Sequence, residues 1–167
     1  MSFLIPGTST CFICGRPIAT RLEAAQLEYA SPDDVGDVAR HGRPWVHRSC
    51  WYTWPMRGAW RASTRRLMAA MPNMTSVRDV AARPAGENVL LTDTGAPFSI
   101  TVPRDQIGPV CDALRARLPT TLTFDHVLWR FSPLESRVRL TASQDGGMLV
   151  DLVIEDPDAW CLALASV

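Results

Sequence analysis

The chain has 167 residues, 47% hydrophobic and 20% charged, proportions typical of soluble globular proteins rather than disordered or fibrous ones. No run of about 18 apolar residues indicates a membrane span, and the first ten residues lack the basic flank of a signal peptide. We therefore expect a cytoplasmic protein with reduced cysteines and no membrane partner. All seventeen basic residues are arginine, a bias that fits a GC-rich bacterial genome.

The formal net charge is zero, but the two halves of the chain differ in sign. Residues 1–84 hold eleven arginines and six acidic residues, and residues 85–167 hold six arginines and eleven acidic residues. This asymmetry predicts two units with different surfaces, although two halves that merely offset each other for solubility would show it too. We expect an N-terminal module over 1–72, a linker over 73–87 and an α+β domain over 88–167. Neither half shows an internal repeat.

The most specific motif is a spaced set of cysteine and histidine residues. Cys11 and Cys14 form a C-x-x-C turn followed by Gly15, and His47 and Cys50 come after a gap of 32 residues. Both ends of a two-residue spacer reach one metal ion, and a spacing of three at a helix start puts the second pair on one face. Three thiolates and one imidazole complete a tetrahedral shell. The sequence therefore predicts one structural Zn²⁺ bound by these four residues.

This pattern resembles the treble-clef class of zinc fingers, in which a knuckle supplies two ligands, a hairpin follows, and the first turn of a helix supplies the other two. The resemblance covers roughly residues 11–66 and implies a hairpin within residues 26–46. The class serves nucleases, ribosomal proteins and adaptors alike, so the resemblance implies no single function.

Three alternatives to this metal site remain open. The cysteines and the His/Cys pair could be two unrelated features, or the C-x-x-C turn could be a redox motif. Pro17 and the lack of a preceding strand disfavour the redox reading, because a thioredoxin-like motif follows a strand and opens a helix. His41 could also replace His47 as the ligand if the second pair of ligands lies at other positions of the chain. We expect His41 to be an exposed loop residue instead.

A helix is predicted from Cys50 to about Ala70, bent near Pro55. Four tryptophans lie in or just before it, and we expect them to pack around the small metal site. Three arginines recur every four residues and form a basic stripe, Arg57, Arg61 and Arg65, with Arg66 beside it. This possible partner surface could meet phosphates, meet the acidic C-terminal half or face solvent.

The second unit is predicted to be a small, mostly antiparallel sheet with one main packed helix. Hydrophobic periodicity and turn residues place the strands and helices as follows. Strands are expected at 88–93, 98–102, 122–131, 137–143 and 148–154, with helices at 107–118 and 157–165. Cys111 and Cys161 lie on apolar stripes and are expected to be core residues, and His126 alone is weak evidence for catalysis.

We expect a non-enzymatic adaptor that binds another protein, by analogy with small bacterial proteins of regulation or conflict systems. A nucleic-acid-binding regulator that uses the basic helix at 57–66 is the alternative. A nuclease of the His-metal-finger kind is less favoured, since His47 is already assigned to zinc and no catalytic grouping is visible.

Overall fold

Mixed helices and antiparallel sheets make up the computed structural model, which describes residues 4–167. Two units separate at residue 71, the first being Met1–Met71 and the second Pro72–Val167. The first holds a two-stranded sheet and the second holds two four-stranded sheets. Within residues 4–167, no helix is long and apolar enough to cross a membrane.

The first unit is built around a short antiparallel ribbon. Strand β1 (Ala24–Gln26) pairs with β2 (Trp45–His47). The connection between them contains helix α1 (Pro32–Val35) and a 3₁₀ turn at Gly36–His41. Helix α1 forms because Ser31 caps it, accepting a hydrogen bond from the Asp33 N–H. The connection between the two strands therefore contains helical structure of its own.

Two helices follow the ribbon, α2 (Arg48–Thr53) and α3 (Arg57–Ala69). The predicted bend near Pro55 is therefore a complete break, since proline cannot continue the hydrogen-bond ladder of α2. Trp51 and Trp60 are almost fully buried in the core of this unit. The Trp60 Nε1–H donates to the Glu28 carbonyl at 2.9 Å, which ties α3 to the segment after β1.

The second unit contains eight strands and two helices. The first sheet has the order β3-β4-β5-β6 and the second the order β10-β9-β8-β7. The strands are β3 (Thr75–Val77), β4 (Val80–Ala85), β5 (Asn88–Asp93), β6 (Phe98–Pro103), β7 (Thr120–Phe124), β8 (Val127–Leu134), β9 (Arg137–Gln144) and β10 (Gly147–Ile154). The helices are α4 (Ile107–Arg115) and α5 (Pro157–Ala165).

Three predictions for this unit are wrong. Residues 73–87 are not a linker, because they form β3 and β4, and their Gly86 lies in the tight turn to β5. The single predicted sheet is two four-stranded sheets. The strand predicted at 122–131 is a hairpin, since Asp125 and His126 both adopt positive φ angles and turn the chain between β7 and β8.

An internal repeat organises this unit, contrary to the expectation that neither half contains one. Four antiparallel strands followed by one helix occur twice in succession. Val-x-Leu-Thr recurs in the third strand of each repeat, at residues 89–92 and 138–141. A proline pairs with that valine in each case, as Pro84↔Val89 and Pro133↔Val138. The same local sequence therefore occupies the same place in both sheets.

The two helices are also equivalent in the repeat, and each packs on the sheet of the other repeat. Both have nine residues, with cysteine at the fifth position, alanine at the seventh and leucine at the eighth. Helix α4, which follows the first sheet, contacts β7 and β8, whereas α5, which follows the second, contacts β3, β4 and β5. The helices also pack on each other. Because each helix covers strands of the other repeat, the two repeats share one hydrophobic core.

One buried carboxylate links α5 to the first sheet. Asp93, at the end of β5, is 5% exposed and accepts three hydrogen bonds. Two come from the N–H groups of Gly95 and Ala96, and the third comes from the Trp160 Nε1–H at 2.8 Å. Burial raises the pKa of Asp93, although these three donors favour its charged form. Removing one donor should therefore leave a buried acceptor unsatisfied.

We expect Trp160→Phe to lower the free energy of unfolding by about 1–3 kcal/mol more than Trp129→Phe does. Trp129 is a matched control, because its Nε1–H is buried without a hydrogen-bond partner among the described residues. Both substitutions replace a buried indole ring with the smaller phenyl ring, but only Trp160→Phe removes a hydrogen bond. Urea unfolding of the two variants would measure the difference, and equal losses would contradict the importance of the Asp93 contact.

Candidate metal centre

The knuckle at Cys11 and Cys14 is a tight turn closed by backbone hydrogen bonds. The Cys11 N–H donates to the Arg16 carbonyl at 2.8 Å, and the Gly15 N–H donates to the Cys11 carbonyl at 2.8 Å. Gly15 has φ 71°, a conformation that glycine adopts without strain. The turn therefore holds Cys11 and Cys14 with both thiols on the same side.

The second pair of residues stands at a junction between strand and helix. His47 is the last residue of β2 and also the N-cap of α2, and Cys50 lies in the first turn of that helix. The Phe12 N–H donates to the Trp45 carbonyl at 2.9 Å, which fastens the knuckle to β2. The ribbon and the helix start thus bring the second pair against the first.

The four side chains converge on one point. The Sγ atoms of Cys11, Cys14 and Cys50 and a ring nitrogen of His47 all lie within 4.8 Å of one another. His47 Nδ1 is 3.4 Å from Cys14 Sγ and 3.8 Å from Cys50 Sγ. Metal–sulfur bonds of about 2.3 Å in a tetrahedron separate ligand atoms by about 3.5–3.8 Å. This cluster can therefore hold one metal ion.

Neighbouring groups orient the ligands. His47 Nε2 lies 3.2 Å from the Pro17 carbonyl, so the Nε2–H donates there and Nδ1 is left facing the thiols. The His47 N–H also donates to Cys11 Sγ at 3.2 Å. These bonds favour a ring position and a tautomer suited to metal binding.

Arg16 supplies positive charge at the edge of the cluster. Its backbone N–H and then its guanidinium donate hydrogen bonds that lower the pKa of Cys14 to about 6. Burial and the neighbouring Cys14 and Cys11 thiols raise the pKa of Cys50 to about 11. The Arg16 guanidinium also hydrogen-bonds Cys50. Three thiolates around a divalent cation carry a net charge of about −1, which Arg16 offsets. Sequence reasoning missed this residue, although its place directly after the C-x-x-C-G turn is a visible signal.

His41 does not join the cluster. Its ring lies 4.9 Å from the Phe12 ring, centroid to centroid, in a tilted arrangement. Phe12 in turn meets Trp54 edge-on at 6.1 Å, and Trp54 contacts Trp60 at 5.7 Å. His41 therefore ends a row of aromatic rings that packs beside the knuckle.

The arginines of α3 lie in different surroundings. The Arg57 guanidinium is 5.0 Å from the Tyr52 ring centroid and 5.8 Å from that of Trp51, within cation–π range. Arg61 is half-buried, whereas Arg65 is exposed. Arg66 forms an ion pair with Asp34 at the first helix. The predicted stripe is thus partly used within the first unit.

Comparison of the chain with protein-family models, with curated proteins and with solved structures gave no match.

We expect Arg16→Ala to weaken binding of a divalent metal by roughly tenfold, the lower end of the effect of outer partners of metal ligands. The loss follows from removing the guanidinium that offsets the charge of the thiolates. Competition with a chromogenic chelator would measure it. Arg21→Ala is a suitable control because Arg21 is an exposed arginine nearby, and equal losses in both variants would contradict the role of Arg16.

Proposed function

We propose that Cys11, Cys14, His47 and Cys50 bind one structural Zn²⁺ in a treble-clef-like module. Three sulfur donors and one imidazole suit zinc better than hard cations such as Mg²⁺ or Ca²⁺, which prefer oxygen. The order of elements supports the treble-clef resemblance, since a knuckle precedes the β1–β2 ribbon and the last two ligands stand at the start of α2.

The convergence of four side chains on one point is the observation that carries a structural role for the metal. Catalytic zinc keeps a position open for water or substrate, whereas a shell of four protein ligands is closed. A nuclease of the His-metal-finger kind would also need His47 free for proton transfer, and here its Nδ1 faces the thiols. We therefore propose a binding protein rather than an enzyme.

Purified protein should contain about one zinc per chain, and His47→Ala should lose it. His41→Ala should retain it, because His41 packs on Phe12 instead of facing the thiols. Elemental mass spectrometry of the three proteins, purified under reducing conditions, provides the measurement. Retention of full zinc by His47→Ala, or its loss from His41→Ala, would overturn the ligand assignment.

We propose further that this module is an adaptor in the cytoplasm of a bacterium and that its surface at α2 and α3 binds another protein. Tyr52 is 41% exposed and carries the Arg57 guanidinium on its ring, and Arg65 is exposed on α3. Tyrosine and arginine are enriched among residues that dominate binding energy at protein interfaces. A ring already stacked with a guanidinium is also partly ordered before a partner binds, which lowers the entropy cost of association.

Tagged full-length protein should recover a specific protein partner from a lysate of its source cells. Tyr52→Ala combined with Arg65→Glu should reduce recovery at least tenfold. Arg40→Glu should not, because Arg40 lies on the 3₁₀ turn outside α2 and α3, where it forms an ion pair with Asp37. Recovery of no partner under several conditions, or equal recovery by both variants, would count against the adaptor.

A nucleic-acid-binding regulator is the second candidate, and the spacing of Arg57, Arg61 and Arg65 along α3 favours it. Nuclease treatment of the same lysate distinguishes a protein partner from a nucleic-acid partner. Recovery that survives nuclease supports a protein partner. Recovery lost with nuclease, together with a low-salt gel shift that weakens in the Arg65→Glu variant, supports nucleic acid.

A further inference from the structure

Two cysteines outside the metal centre occupy equivalent places in the internal repeat. Cys111 is the fifth residue of α4 and Cys161 is the fifth residue of α5. Both are free thiols and both are buried, Cys111 at 8% and Cys161 at 1% exposure. Neither takes part in the metal centre, so the proposed function leaves them unexplained.

The two thiols meet where the helices pack together. Cys111 Sγ lies 4.0 Å from the Cys161 carbonyl oxygen, and Cys161 Sγ lies 3.8 Å from the Cys111 carbonyl oxygen. These contacts are reciprocal, as expected for two equivalent residues at a crossing of equivalent helices. Each sulfur therefore reaches the backbone of the other cysteine, which requires a close approach of the two helices at this point.

Their surroundings also make the two thiols chemically unequal. A hydrogen bond from the Cys161 side chain lowers the pKa of Cys111 to about 7, and the nearby Arg115 adds to this effect. The Cys111 side chain and burial raise the pKa of Cys161. The thiolate is the reactive form of cysteine. Cys111 is also the more exposed of the two thiols, at 8% against 1% for Cys161, so a small oxidant reaches Cys111 first.

We propose that Cys111 and Cys161 are a redox modification site, at which hydrogen peroxide converts the two thiols into a disulfide between α4 and α5. The Cys111 thiolate attacks one peroxide oxygen and the O–O bond breaks, which leaves a sulfenic acid; the departing hydroxide takes up the proton that the Cys111 thiol had lost and becomes one water. The Cys161 sulfur then attacks the Cys111 sulfur, the S–O bond breaks, and the departing hydroxyl takes the Cys161 thiol proton and leaves as a second water. The two thiols lose two electrons in all, and the peroxide gains them.

The disulfide would add a covalent link between the two repeats of the second unit. Helix α4 packs on the second sheet and α5 packs on the first, so a disulfide between them joins the two repeats covalently. A cross-link of residues 50 positions apart also restricts the unfolded chain. Oxidation should therefore stabilise the second unit against unfolding.

Peptide mapping of the full-length, zinc-loaded protein tests this proposal. The native protein is treated with hydrogen peroxide, quenched in acid with an alkylating agent, and digested with trypsin without reduction. Cys111 and Cys161 fall in the peptides 105–115 and 140–167, whereas the metal-binding cysteines fall in 1–21 and 49–57. Oxidation of the metal centre therefore cannot imitate the expected cross-link.

We expect the 105–115 and 140–167 peptides to be linked in most chains, with the link removed by dithiothreitol. The urea midpoint of the second unit should rise on oxidation in the wild type and stay unchanged in Cys161→Ala, which cannot form the bond. Recovery of both cysteines as alkylated thiols, or of Cys111 as sulfinic acid without a cross-link, would overturn the proposal. The mapping result on the wild type stands even if a cysteine variant folds poorly.

Discussion

The convergence of three chain segments on one cluster of cysteine and histidine side chains is the constraint on which the first unit depends. The knuckle, the end of β2 and the first turn of α2 each contribute side chains to this cluster, which could hold a metal ion. A two-stranded ribbon of three residues a side is marginal by itself, and the helices after it are short or separated by Pro55. Trp51 and Trp60 fill the small core beside the ligands. A bound metal adds on the order of 10 kcal/mol of apparent folding free energy in comparable sites, which is large beside the stability of any small domain.

The second unit reaches stability by another route. It has no cluster of metal-binding residues among those described, and its core comes from two sheets and two helices that exchange partners between repeats. The hydrogen bond from Trp160 to Asp93 adds a polar link between the last helix and the first sheet. This buried carboxylate favours one position of α5, because a shift of the helix would remove the Trp160 donor from Asp93 Oδ2. Duplication of the same local pattern thus yields one shared hydrophobic core.

We propose that cysteine serves two chemical purposes in this chain. In the first unit, Arg16 and backbone N–H groups stabilise thiolates, as metal ligation requires. In the second unit, Cys111 and Cys161 each lie against the other's backbone carbonyl where α4 and α5 pack together, and the nearby Arg115 charge favours the Cys111 thiolate. The difference lies in the surroundings rather than in the residue type. It is the reason we assign the first set to zinc and the second pair to oxidation by peroxide.

The local spacing of residues was enough to predict much of this protein. The C-x-x-C-G turn and the His47/Cys50 pair predict the cluster that could hold a metal ion, because the spacing within each pair is a short-range property. The hairpin of β5 and β6, the strands β9 and β10, and helix α5 follow from alternation and turn residues alone.

Tertiary structure decided the rest. Residues 73–87 read as a linker because proline and glycine punctuate them, yet pairing with β5 makes them strands. The repeat is carried by a few residues such as Val89, Val138 and the two helix cysteines, and their equivalence appears only when the sheets are formed. Hydrophobic periodicity cannot predict which distant strands pair. It indicates which residues are buried, but not which part of the chain buries them.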